Sequence, residues 1–179
     1  MPSHIALLRG INVGGHNMVA MSDLRSLFVE LGLVGATSLL QSGNVVFQSE
    51  RLTGAALERL LEVETAKRLN VSADYFVRTA AEWKKIVARN PFPKEATDDP
   101  GHLLVMFLRK TPSTKNVDEL RVSIQGPELI QPDGKQLYMV YPAGIGRSKL
   151  TGLLIEKKLD SRGTARNWNT ILKLAALCQ

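Results

Sequence analysis

The chain has 179 residues, 44% of them hydrophobic and 22% charged, with a formal net charge of +6; this balance belongs to a folded chain of one or two small domains and excludes disorder. Its single cysteine, Cys178, excludes an internal disulfide and a thiolate metal cluster. The first residues lack the charged region, apolar run and cleavage site of a signal peptide, and no apolar stretch nears about 18 residues, so no membrane partner is expected and the cytoplasm is the expected location.

In chain order, "HIALLRG" reads as a buried strand, and "SDLRSLFVELG" as a helix with Leu24, Leu27, Phe28 and Leu31 on one face and Gly32 as its stop. "TSLLQ" and "NVVFQ" are short apolar runs separated by Ser42 and Gly43, a hairpin signal. A helix over about 53–69 buries Leu57, Leu60 and Leu61, and "ADYFVRT" closes the half as a strand. The order β-α-β-β-α-β is that of the ferredoxin-like plait.

After a helix around 80–89 and the Pro-rich loop "NPFPKEATDDPG", the order begins again. "HLLVMFLRK" is a strand, "NVDELRVSI" a helix, and "ELIQPDGKQLYMVY" a hairpin turning at Asp133 and Gly134. "SKLTGLLIEKKL" is the next helix, with Leu150, Leu153 and Leu154 inward, and "TARNWNTILKLAAL" reads as a helix where a last strand would stand. "IALLR" resembles "VMFLR", and "DLR" is echoed by "ELR", as a duplication would leave them. The expected architecture is α+β: two plait-like subdomains packed together, over 1–79 and 102–179, joined by a helix and loop at 80–101, the second ending in an extra C-terminal helix.

Charge is unevenly spread. Residues 142–179 hold seven bases and two acids, whereas the remainder has sixteen bases and fifteen acids. Such asymmetry points to an acidic or phosphate-bearing partner, with a merely solvated basic face as the plainer alternative.

"LLRGINVGGHN", "QSGNVVF", "NPFP", "GRSKLT" and "TARNWNTILKLAAL", in this order over nearly the whole chain, resemble the bacterial family called domain of unknown function 1697. The resemblance implies a small cytoplasmic protein with plait-like subdomains; the family has no assigned activity, so no catalytic residue is carried over. Met18 departs from a pattern in which lysine is frequent, and no basic contact is assigned there.

Four constellations could carry chemistry. In "RGINVGGHN", Gly10 and Gly15 copy the spacing of a phosphate loop, but His16 and Asn17 stand where lysine and a hydroxyl residue are required, which argues against a nucleotide triphosphatase. Gly14 and Gly15 still allow amides to converge on an anion, with Arg9 and Asn17 beside them; the alternative is a turn in which Asn17 bonds local backbone. In "QSGNVVF", Ser42 and Asn44 are turn residues that could orient a ligand if they share an end of the sheet with the glycine loop.

In "YPAGIGRSKLTG", Ser148 is the expected N-cap, with Arg147 and Lys149 beside it at the positive end of a helix dipole, where cations are unfavourable unless an anion binds. In "GTARNWNT", Thr164 is the expected cap, Arg166 and Asn167 stand in the first turn, and Trp168 anchors the core. His16 lacks a nearby carboxylate and reads as a loop histidine, while His4 and His102 offer no ligand pair, so neither a metal nor a cofactor is expected. The expected function is binding of a phosphate-bearing, nucleotide-like small molecule at basic helix starts. A nucleic-acid module and an enzyme on a phosphorylated substrate are the alternatives, and a basic face docking an acidic protein is a third; oligomeric state is not readable from these residues.

Overall fold

Strand β1 (Ser3–Arg9) sets the pattern of the first half: four apolar residues in a row, Ile5, Ala6, Leu7 and Leu8, form a strand buried on both faces rather than an alternating one. The computed structural model describes residues 1–179, in two units, one of Met1–Lys85 with Lys173–Gln179 and the other of Ile86–Leu172.

In the first unit β1 is followed by α1 (Met21–Glu30), β2 (Val34–Ser38), β3 (Asn44–Gln48), α2 (Gly54–Leu69) and β4 (Asp74–Thr79). The sheet order is β2-β3-β1-β4 and every pairing is antiparallel, as in the ferredoxin-like plait. Ala6, Leu8, Val45, Phe47, Tyr75 and Val77 present one sheet face to Leu24, Phe28, Leu57 and Leu61 of the two helices, forming one core. The residues between them, among them Ile5, Leu7 and Phe76, are also fully buried. β2 begins three residues before the expected "TSLLQ", and Leu39 and Leu40 lie in the loop instead. Leu39 N–H bonds Asn44 O at 2.8 Å, so the connection is a wide loop rather than a tight turn at Ser42 and Gly43.

Helix α3 (Ala80–Ala88) leads into the second unit. The Pro-rich segment is not a bare loop: Pro93 opens α4 (Pro93–Asp98) and Pro100 opens a 3₁₀ turn, Pro100–His102, both at first-turn positions where proline's missing N–H costs nothing. Then come β5 (Leu103–Leu108), α5 (Thr114–Ser123), β6 (Leu129–Asp133), β7 (Gln136–Val140), α6 (Gly152–Leu159), β8 (Gly163–Asn167) and α7 (Trp168–Leu177). The order β6-β7-β5-β8 repeats that of the first sheet, all antiparallel. Pro132, which has no amide hydrogen for a ladder, sits in the edge strand β6.

Two helix starts differ from the sequence reading. α6 begins after Thr151, whose Oγ1 accepts from Leu154 N–H at 3.2 Å, so Ser148 is not its cap. The choice is made by the residue before each candidate. Leu150 precedes Thr151 and, with Ile155 five residues on, lies in the second core, which fits the hydrophobic staple; Leu153 points out, 76% exposed.

The second correction is that residues 163–167 form the last strand rather than a helix, completing the second plait. Thr164 pairs with Phe107 and Arg166 with Val105, so β8 fills the edge of β5 that β7 leaves open. Gly163 allows the approach: a Cβ there would lie 2.9 Å from Met106 Cγ. The helix starts at Trp168, capped by Asn167 Oδ1, which accepts from Thr170 N–H at 3.0 Å, and its buried stripe is Trp168, Ile171 and Leu174 while Leu172 is exposed.

The segments that resemble each other take corresponding places. β1 and β5 are the central first strands, and Leu24 and Leu120 of the echoed "DLR" and "ELR" are both fully buried. Ile5 pairs with Arg78 and Val105 with Arg166; both arginines are buried, and each Nη1 donates to the carbonyl one residue before it, at 3.0 and 2.9 Å.

Candidate anion-binding cleft

Two glycine-bearing loops of equal length carry most of these residues, 10–20 between β1 and α1 and 141–151 between β7 and α6. The first is closed on itself. Gly14 and Gly15, with φ of 57° and 76°, make the two-residue turn of a miniature hairpin in which His16 N–H bonds Val13 O at 2.9 Å. Asn17, itself left-handed at φ 48°, donates through Nδ2 to Gly10 O and Ser72 O at 2.9 and 3.1 Å. Asn12 spans Val19 and Gln41 in the same way.

The loop containing Ser42 and Asn44 does share this end of the sheet, since Gly43 O accepts from Leu8 N–H at 2.9 Å. Its polar groups are spent on the fold. Asn44 is fully buried and donates to Leu39 O at 2.7 Å and to Ser42 Oγ at 3.3 Å. Arg9 is paired with Asp74, Nη1 to Oδ2 2.9 Å. Arg9, Gly14, Gly15, Asn17, Ser42 and Asn44 are therefore brought together, but as a structural knot in which asparagine side chains stand in for missing backbone partners.

The second loop is built differently. Tyr141 ties its ends, with its N–H on His102 O and its hydroxyl donating to Leu150 O, both at 2.9 Å. Burial first, then the charge of Glu128, pushes the Tyr141 phenol up to about 12. Between these ties the chain makes two turns, Gly144 N–H to Tyr141 O and Ser148 N–H to Ile145 O, and Ser148 Oγ accepts from Leu150 N–H. The amides of Ile145, Gly146, Arg147 and Lys149 have no protein acceptor.

The loop forms one wall of a cleft of about 290 Å³, lined by Ala143, Gly144, Arg147, Ser148 and Lys149, with residues 125–128 opposite. Ser148 Oγ donates to Glu128 Oε1 at 2.5 Å and Lys149 Nζ to Gln125 Oε1 at 3.2 Å. The side chains of Arg147 and Lys149 are exposed and make no ion pair, whereas Arg9, Arg68, Arg78, Arg89, Arg121 and Lys110 do. A wider groove of about 750 Å³ is lined from Thr111 to Gly134, but its arginine, Arg121, is already paired with Asp118 at 3.6 Å.

Arg166 does not join the cleft. It lies in β8, 8% exposed, with Nη1 donating to Thr164 Oγ1 at 2.6 Å, and burial lowers its pKa to about 10. Arg166 and Asn167 thus serve the strand and the cap of α7, not a helix-start anion site. The double receptacle expected at two helix N-termini reduces to one loop wall, and that wall precedes its helix rather than opening it.

Sequence reading missed a pair at the same end of the second sheet. Asp99 Oδ2 lies 2.8 Å from His102 Nδ1, and a Cβ placed on Gly144 would be 3.6 Å from His102 Nε2. The spacing of aspartate and histidine in "DDPGH", with proline opening the turn between them, is the signal that could have found it.

No helix is long and apolar enough to cross a membrane. A comparison with curated proteins gives no match. Among solved structures, a conserved bacterial protein, SP0830 from Streptococcus pneumoniae, is similar over 99% of both chains with a TM-score of 0.73 at 22% identity, a likeness of fold. The family model described as "Protein of unknown function (DUF1697)" matches residues 1–138, which include the 125–128 wall of the cleft and end before Arg147 and Lys149, and the chain belongs to that family.

Proposed function

We propose that the chain binds a small phosphate-bearing, nucleotide-like molecule in the cleft between residues 125–128 and 143–149. The observation that carries this reading is the pair Arg147 and Lys149 on one wall, both exposed and without a carboxylate partner, beside amides that have no protein acceptor. A guanidinium, an ammonium and free backbone N–H groups are the donors with which proteins hold phosphate. Glu128 faces the same space and disfavours a bare phosphate, but it accepts hydrogen bonds from sugar hydroxyls, as acidic residues do at ribose. A volume of about 290 Å³ sits at the small end of ligand sites.

A polymer is the weaker reading, because Tyr138 and Tyr141, the aromatics that might have stacked bases, are both buried. The reading places the protein in the cytoplasm, which suits a chain with one cysteine.

Calorimetric titration with adenosine 5′-monophosphate, adenosine and inorganic phosphate at low salt tests it. The nucleotide should bind more tightly than either part, and Arg147→Ala or Lys149→Ala should weaken it about tenfold or more, a charge-assisted contact each. Equal affinity in the double variant, or no heat with any of the three, overturns the assignment.

A further inference from the structure

The Asp99–His102 pair does not itself line the cleft but adjoins Gly144 of its wall. Pro100 starts the 3₁₀ turn, which brings residues three apart to one side, so Asp99 Oδ2 meets His102 Nδ1 at 2.8 Å while His102 N–H bonds Asp99 O. His102 leads into β5 and Leu103 pairs with Val140 at the end of β7, so the loop that leaves β7 starts beside the imidazole. That is why Gly144, part of the cleft wall, lies within contact range of Nε2. The imidazole is 44% exposed.

When a carboxylate accepts the Nδ1 hydrogen, the lone pair is on Nε2 and the ring is held in one orientation, which is the arrangement of an oriented general base. A second copy of such an arrangement is not found at His16, which lies in an exposed loop without a carboxylate in ion-pair range.

We infer that the cleft is a hydrolytic site for phosphoesters, with His102 as general base and Asp99 as its positioning residue. The inference rests on the phosphate-binding reading of the same cleft. In the step, Nε2 takes a proton from a water molecule while the water oxygen forms a bond to phosphorus. The ester P–O bond breaks, its electron pair stays with the departing oxygen, and that oxygen receives the proton back from Nε2, so the imidazole ends neutral. Arg147 and Lys149 offset the charge gathered on the non-bridging oxygens, and Gly144 keeps side-chain atoms out of the space between Nε2 and the cleft.

The same pair could serve only to hold the 3₁₀ turn, and the experiment separates the two roles. Wild-type, His102→Ala and Asp99→Asn proteins are compared for hydrolysis of 4-nitrophenyl phosphate, for adenosine 5′-monophosphate binding by calorimetry, and for thermal unfolding. The inference expects His102→Ala to lower kcat about 100-fold or more with KM within about twofold, added imidazole to restore part of the rate, and nucleotide binding to persist. Asp99→Asn should fall between the two. Nucleotide binding without turnover by the wild type overturns the inference and leaves the binding reading standing. Absence of binding overturns both. Turnover that survives in His102→Ala, or that is lost together with folding and unmoved by imidazole, assigns the pair to the turn alone and overturns the inference.

Discussion

The two plaits differ most where each lengthens a connection. In the first, the β1–α1 connection runs over residues 10–20 while β3–α2 takes only 49–53; in the second, β5–α5 takes only 109–113 while β7–α6 runs over 141–151. Both long loops are glycine-bearing, the first preceded by Arg9 and the second carrying Arg147 and Lys149, and from composition alone they compete for the same role. The first spends Asn12, Asn17 and Asn44 on its own backbone and Arg9 on Asp74. The second leaves Arg147 and Lys149 without an ion pair, Lys149 bonding only the neutral Gln125. The difference lies in the side chains, since backbone amides without a protein acceptor occur in both loops: the asparagines of the first loop and its neighbouring arginine are built into the fold, whereas Arg147 and Lys149 have no carboxylate partner.

The comparison breaks most severely at Gly43. Its φ is +87°, and a Cβ would lie 2.8 Å from both Ile11 Cδ1 and Leu8 Cβ, so Gly43→Ala combines left-handed strain with overpacking. The expected loss is about 2–4 kcal/mol by urea denaturation. Asn17→Ala, which leaves two carbonyls without their donor, should cost about 1–2 kcal/mol. Arg147→Ala and Lys149→Ala should stay within about 0.5 kcal/mol of the parent, because both are exposed and neither is ion-paired, the Lys149 bond to Gln125 lying at the surface. If the 147 and 149 variants destabilise as much as Asn17→Ala, the second loop is as structural as the first and the contrast is lost.

Much of the scaffold behind this contrast is legible in the residues. The helix over 53–69 is found at Gly54–Leu69, and the hairpin expected to turn at Asp133 and Gly134 turns one residue later, at Gly134 and Lys135 between β6 and β7, because leucine periodicity and turn chemistry are local signals. The start of α6 is harder. Ser148 and Thr151 are equally good caps, and only the burial of Leu150 with Ile155 decides between them. β8 is harder still: "GTARN" has no alternation of its own, and its strand state is imposed by the open edge of β5, which then buries Arg166. The pairing of Asp99 with His102 is a three-residue spacing visible in the sequence, but its nearness to Gly144 depends on sheet register, which no local pattern encodes.

The smallest expected effect concerns the ties that hold the second loop. Tyr75, Tyr138 and Tyr141 are the only tyrosines, and burial raises all three above the usual 10, to about 12 for Tyr138 and Tyr141. Because the folded state favours the neutral phenol, these residues contribute stability that is fully present below about pH 10 and is lost as pH rises through about 12. Absorbance near 295 nm should therefore stay low at pH 10, where a free tyrosine is half ionised. A half-ionised signal there in the folded protein contradicts the burial of the Tyr141 tie.

The claim that one glycine loop is architecture and the other a ligand wall is tested most directly by amide chemical shifts of ¹⁵N-labelled protein titrated with adenosine 5′-monophosphate. The account predicts saturable shifts at Ile145, Gly146, Arg147 and Lys149, with residues 12–17 unmoved. Shifts confined to residues 12–17, or no saturable shift anywhere, would contradict it.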